Sequence, residues 1–198
     1  MLIPTLALIL AACSAGSGAS APTSPLSSAA PAATVAATQV PPAGTEAQPA
    51  VALDPWQTEG LTDVRTGETF AIADLAGKVV VIEPMAIWCS NCARQQKEAA
   101  KALDALASDD VVYISLDIDP GERASDLAAY ADERGFDWRF VVADRALSRA
   151  LAQAFGDQVL SPPSTPKIIL GADGRVVGPN FGIQDASAIE AELRDQLS

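Results

Sequence analysis

The apolar run at 78–82 passes within a few residues through Trp88-Cys89-Ser90-Asn91-Cys92 into a stretch rich in helix formers. This junction constrains the chain more than any other feature. An unbroken Val79-Val80-Val81-Ile82 suits a strand buried on both faces, not one that alternates between core and solvent. Residues 94–106 are dominated by Ala, Gln, Lys and Leu. Their apolar members Ala99, Ala102, Leu103 and Leu106 fall on one helical face. A strand that feeds a helix through Cys-x-x-Cys reads as a thiol–disulfide redox site.

Counting narrows the alternatives. The chain has 3 Cys and 0 His, and the third cysteine, Cys13, lies far upstream. A four-ligand Cys/His zinc site therefore cannot be completed within one chain. A purely structural disulfide closing so short a loop removes little unfolded-state entropy. Two thiolates also suit Cu(I), a soft metal.

The first fifty residues differ in kind from the rest. Residues 1–12 are apolar, of signal-peptide length, too short to span a bilayer and interrupted by Pro4. No Lys or Arg precedes that run. Leu10-Ala11-Ala12-Cys13 resembles the bacterial lipobox, which makes Cys13 the expected site of lipidation and the domain a membrane-tethered one. Residues 13–52 are mostly Ala, Ser, Thr and Pro, with Glu46 the one charge in 14–50. They are expected to form a disordered tether with a root-mean-square reach of about 30 Å. Residues 53–198 are the right size for one domain with a real core. A net charge of −12 argues against nucleic acid as a partner and against electrostatic adhesion to anionic lipid.

Within 53–198 strands and helices alternate. Extended pieces at 56–70 turn at Arg65-Thr66-Gly67-Glu68 and lead to a short helical turn at 74–77. Strands are expected at 78–82, 111–116, 139–142 and 167–170, and a hairpin strand at 175–177. Helices are expected at 94–106, 124–134 with Gly135 as the stop, 146–155, and 185–197 with Asp185 as the N-cap. The pattern is an α/β sandwich whose final hairpin makes the sheet mixed.

The Trp-Cys-x-x-Cys between strand and helix, and Thr165-Pro166 before a strand hairpin, resemble the thioredoxin fold. The stretches 63–75, 114–140 and 155–174 make the chain more similar to the extracytoplasmic thioredoxin-like group of TlpA and ResA, thiol–disulfide reductases linked to cytochrome c maturation. The resemblance covers about residues 56–197. It implies a central mixed sheet flanked by helices, with an N-terminal hairpin and an inserted helix and strand. It also implies an extracytoplasmic thiol–disulfide oxidoreductase, a reductase rather than a strong oxidant, that needs no cofactor. Its partners would be protein thiols or disulfides and an upstream electron donor.

By the same resemblance Cys89 is the nucleophile and Cys92 the resolving thiol. Cys89 at a helix amino end would have its thiolate stabilised by unpaired N–H groups. Glu83, in a run expected to be buried, matches the acid that accepts a proton from the inner cysteine, and Lys78 and Lys101 are the candidate cations to pair with it. The alternative is that Glu83 emerges into solvent at the strand end. Trp88 would shield the dithiol, or else be an ordinary core aromatic. Thr165 and Pro166 would form the substrate face, with a cis bond at Pro166 and free backbone before it for an added peptide strand.

The chain departs from the group at several positions. Pro84 and Met85 replace two aromatics, and Pro84 is expected to end or bulge the strand early. Gln95 and Lys97 stand where the group carries Glu and Pro, which weakens a strict cytochrome c maturation role. Two other functions use the same cysteines. A thiol peroxidase would want a Thr or Ser three residues before the Cys, where this chain has Ala86. A Cu(I) carrier would use Cys89, Cys92 and Met85 but normally adds a His.

Overall fold

The structure, a computed structural model, describes residues 53–198. The expected leader at 1–12, the tether at 13–52 and the lipidation site Cys13 lie outside the described residues. After a short helix α1 (Pro55–Thr58), strands β1 (Leu61–Thr62) and β2 (Thr69–Phe70) pair antiparallel as an N-terminal hairpin. The remaining order is β3 (Val79–Met85), α2 (Ser90–Leu106), β4 (Val111–Asp117), α3 (Ala124–Arg134), β5 (Arg139–Val142), α4 (Arg145–Phe155), β6 (Lys167–Leu170), β7 (Val176–Asn180) and α5 (Ala186–Gln196).

The sheet runs β5-β4-β3-β6-β7, with β3, β4 and β5 parallel and β6 and β7 antiparallel. This is the thioredoxin-fold architecture, a mixed sheet flanked by helices. α3 and β5 are the inserted pair, placing β5 at one edge. Helix ends follow local chemistry. Gly135 closes α3 with φ 67°, a left-handed value that costs glycine nothing. Asp144 and Asp185 cap α4 and α5 by accepting the backbone N–H of Leu147 and Ala188.

The central strand is longer than 78–82 and runs through Pro84 to Met85. Pro84 neither ends nor bulges it. The reason lies in the pairing: β6 covers only Val80 to Ile82, while β4 accompanies the strand from Val79 to Met85. From Glu83 onward β3 has one neighbour, so a missing N–H there need not interrupt a two-sided ladder.

Side chains alternate along β3. Val80 and Ile82 enter one core with Trp56, Ile114, Leu116, Leu147 and Leu151. Val79, Val81 and Met85 enter the other, with Cys89, Cys92, Ala99, Tyr113, Phe140 and Ile189. Glu83 belongs to this second face by register, opposite Ser115 of β4.

Candidate active site

Helix α2 begins at Ser90, with Cys89 as its N-cap in extended conformation. The Cys89 sulfur accepts the backbone N–H of Cys92 at 3.1 Å. A Ser or Asp side chain commonly makes this contact; here a sulfur occupies the seat, facing otherwise unpaired N–H groups and the positive end of a 17-residue helix. Cys89 and Cys92 are joined as a disulfide across Cα atoms 5.3 Å apart. Cys92 is fully buried and Cys89 is 3% exposed. Cys89 is thus the less deeply buried of the two.

A short 3-10 turn, Pro162–Ser164, packs against this end of α2. The Pro162 carbonyl oxygen lies 3.2 Å from the Cys92 sulfur, where a reduced thiol can donate to it. Asn91 Nδ2 donates to the Pro163 carbonyl at 2.9 Å. The contact to the inner cysteine therefore comes from Pro162, four residues before the expected Pro166. The Thr165–Pro166 bond is trans, which corrects the expected cis bond; among the described residues the cis bond is Gly178–Pro179. Here the 3-10 turn and a left-handed Thr165, φ 45° and ψ 60°, reverse the chain. Thr165 is buried, its N–H donates to Pro162 O at 2.9 Å, and its carbonyl accepts from Lys167 Nζ at 3.3 Å. Both backbone groups expected to greet a peptide strand are already engaged.

Trp88 is 59% exposed, so it is not a core aromatic. Its indole N–H donates to Asp119 Oδ2 at 2.7 Å. With Ile118, Pro120, Leu160 and Pro162 it lines a cleft of about 200 Å³ beside the disulfide loop.

Glu83 is fully buried, which removes the solvent alternative. Tyr113 Oη donates to Glu83 Oε2 at 3.1 Å, and Gln96 and Ser115 also bear on the carboxyl. Oε1 has no partner. Burial raises the Glu83 pKa from 4.5 to about 7 against the opposing hydrogen bonds and the charge of Lys167. Neither expected cation reaches it. Lys78 pairs with Asp110, and Lys101 with Glu98. The relevant cation is Lys167, itself buried and held by Thr165 O and Gly182 O.

The surrounding polar groups form a connected set. Gln96 Nε2 and Trp138 Nε1 both donate to Ser115 Oγ, at 3.2 and 2.9 Å, and Tyr130 Oη donates to Gln96 Oε1 at 2.6 Å. Gln95, the departure from the related group, is buried and accepts the backbone N–H of Gln184 at 2.8 Å. It ties α2 to the segment entering α5. The motif positions did not reveal Ser115, Gln96, Tyr113 or Lys167. A Ser or a Lys inside an apolar strand run was the available signal.

A family model described as Redoxin matches residues 28–192. No curated protein matches the chain. Among solved structures, a thiol:disulfide interchange protein of the thioredoxin family from Chlorobium tepidum TLS is similar at 20% identity and TM-score 0.63, covering 75% of this chain and 100% of that one. A secreted Mycobacterium tuberculosis disulfide oxidoreductase, described as homologous to E. coli DsbE, is similar at 14% identity and TM-score 0.58, covering 72% of this chain and 99% of that one. At these identities the structural matches speak to the fold. The chemistry rests on a disulfide-forming Cys-x-x-Cys pair within a redoxin fold, the equipment of a thiol–disulfide oxidoreductase.

Proposed function

The chain belongs to the redoxin family, and on that premise we propose that it reduces protein disulfides outside the cytoplasm, held to a bacterial membrane through a lipid on Cys13. The observation that carries the reading is Cys89 as N-cap of α2 with Cys92 buried behind it. A Cys89 thiolate attacks a partner disulfide. A Cys89–partner S–S bond forms, and the partner's own S–S bond breaks, releasing one partner thiolate. Cys92 gives its proton to Glu83 and attacks the Cys89 sulfur. The Cys89–Cys92 bond forms, and the second partner sulfur leaves as a thiolate. Two electrons pass to the partner, and an upstream dithiol donor restores the pair.

Glu83 suits the proton step because it is buried on the Cys92 face and has one oxygen without a partner. The cleft at Trp88, Leu160 and Pro162 would seat an apolar side chain beside the partner cysteine. Thr165 closes the Pro162 turn through its backbone N–H, so the segment before Pro166 does not offer a free strand edge. A buried Ala86 three residues before Cys89 offers no hydroxyl to orient a peroxide.

The test is trapping. Cys92→Ser, expressed in its native envelope, should accumulate mixed disulfides through Cys89, and wild type should reduce insulin with dithiothreitol as donor. Absence of both would overturn the reading, and peroxide consumption in their place would favour a peroxidase. Cys13→Ala should move the protein from the membrane fraction to the soluble one. Retention in the membrane would remove the lipid anchor from the proposal.

A further inference from the structure

The loop after β4 carries three carboxyl groups that the exchange steps do not use. Asp117 is the last residue of β4 and is fully buried. Its Oδ1 accepts the backbone N–H of Asp119 at 3.0 Å, and its Oδ2 has no hydrogen-bond partner among the described residues. Asp119 Oδ1 accepts the N–H of Gly121 at 2.8 Å, and its Oδ2 accepts the Trp88 indole. Glu122 spreads both carboxylate oxygens across one donor, the backbone N–H of Ile87, at 3.1 and 2.9 Å. Burial, with the neighbouring Glu122 and Asp119 carboxylates adding to it, raises the Asp117 pKa from 3.8 to about 8. Among the described residues none of the three acids makes a salt bridge, and the neighbouring Arg123 is spent on Asp126.

We infer that Asp117, Asp119 and Glu122 form an acidic clamp that positions the segment before Cys89 and biases the dithiol toward donating electrons. The inference rests on the exchange reading above. Its two halves follow from the same contacts. Glu122 holds the backbone two residues before the nucleophile, and Asp119 holds the side chain one residue before it. Both are positioning residues; neither touches a reacting sulfur. Their negative charge, unpaired with any cation among the described residues, opposes formation of a Cys89 thiolate. A less favoured thiolate makes the reduced form less stable and the couple more reducing. Of the other charged groups on this side of the sheet, Glu83 has the same sign and Lys167 is turned to carbonyls, while Arg94, Lys97 and Arg134 line a groove between α2, α3 and the segment entering α5. The electrostatic surroundings thus supply a direction of electron flow that the Cys-x-x-Cys spacing does not.

The test compares Glu122→Ala with Glu122→Gln in the full chain. Two measurements are made: insulin reduction with dithiothreitol, and the pH dependence of Cys89 alkylation by iodoacetamide in the reduced protein. Alanine removes the acceptor and should lower the reduction rate about tenfold, as expected for losing a hydrogen bond to a charged group. Glutamine keeps an acceptor for Ile87 and should recover most of that rate. It removes the charge, so its alkylation profile should move to lower pH and its equilibrium with glutathione toward the dithiol form. Asp119→Asn provides an independent pair of readings, with the Trp88 anchor kept and the charge removed. Alkylation profiles that superimpose for wild type and all three variants, with equal rates, would overturn the inference. A wild type that does not reduce insulin, with alkylation profiles that still separate as described, would overturn the exchange reading and leave the clamp standing.

Discussion

The two faces of the sheet differ in what they bury. The face covered by α1 and α4 is lined by Val80, Ile82, Ile114, Leu116, Leu147 and Leu151, which are apolar and close to fully buried. The face covered by α2, α3 and α5 buries Glu83, Gln95, Gln96, Ser115 and Asp117 among its apolar residues. A buried polar group contributes nothing that a well-packed aliphatic would not, unless its chemistry is used. The first face holds the domain together, and the second shares its core with Cys89 and Cys92 and buries the polar groups to which the proton step is assigned.

The contrast can be broken most sharply by exchanging stability for activity. Cys89→Ser should abolish disulfide exchange in the insulin assay. Leu151→Ala, on the opposite face, should lower unfolding free energy by about 2–5 kcal/mol while leaving exchange per folded molecule intact. Urea denaturation beside the insulin assay measures both. Equal loss of activity in the two variants would dissolve the division.

Glu83 gives the next effect. Its folded pKa lies above its unfolded one, so the native state holds the proton longer as pH rises. Native-state stability is then full below about pH 4.5 and falls as pH climbs through about 7. The Glu83 contribution to that loss is about 3.5 kcal/mol at about 1.4 kcal/mol per pH unit. Glu83→Gln should flatten that part of the pH–stability curve and slow exchange at neutral pH; a wild-type curve with no such fall would remove the buried acid from the account.

A smaller change sharpens the same point. Tyr113→Phe removes the phenol that donates to Glu83. That bond favours the ionised form, so its loss should move the Glu83 titration further up, read by carboxyl NMR, and lower stability by about 1 kcal/mol. Smallest of all, Asp144→Ala uncaps α4 on the apolar face and should cost about 1 kcal/mol, with exchange and the Glu83 titration unmoved.

Much of this was legible in the sequence, for local reasons. Helix α3 and strands β5 and β6 run between the expected residues because Gly135, the turn residues and the apolar runs act within a few positions of themselves. Cys89 and Cys92 were identifiable from spacing alone. What escaped depends on pairing across the fold. The strand continues past Pro84 because β6 stops at Ile82, which no local pattern records. Lys167 reaches the neighbourhood of Glu83 because β6 lies beside β3, while Lys78 and Lys101 point to other acids. Trp88 is exposed because an acid 31 positions along the chain anchors it at the surface. Glu122 meets the turn that precedes Cys89 through a contact 35 positions apart in the chain, which no local pattern records.

Cys89 fills the N-cap position of α2 with the same atom that reacts. An ionised sulfur is a strong acceptor for the Cys92 N–H, and a sulfur joined to a partner is a weak one. The contact that closes the first turn of α2 is therefore strongest in the dithiol form and weaker whenever Cys89 is part of a disulfide. The cap thus favours the dithiol, and the charges of Asp119 and Glu122 pull the other way. Any substitution that stiffens or frays that first turn will be felt as a change in potential before it is felt as a change in fold.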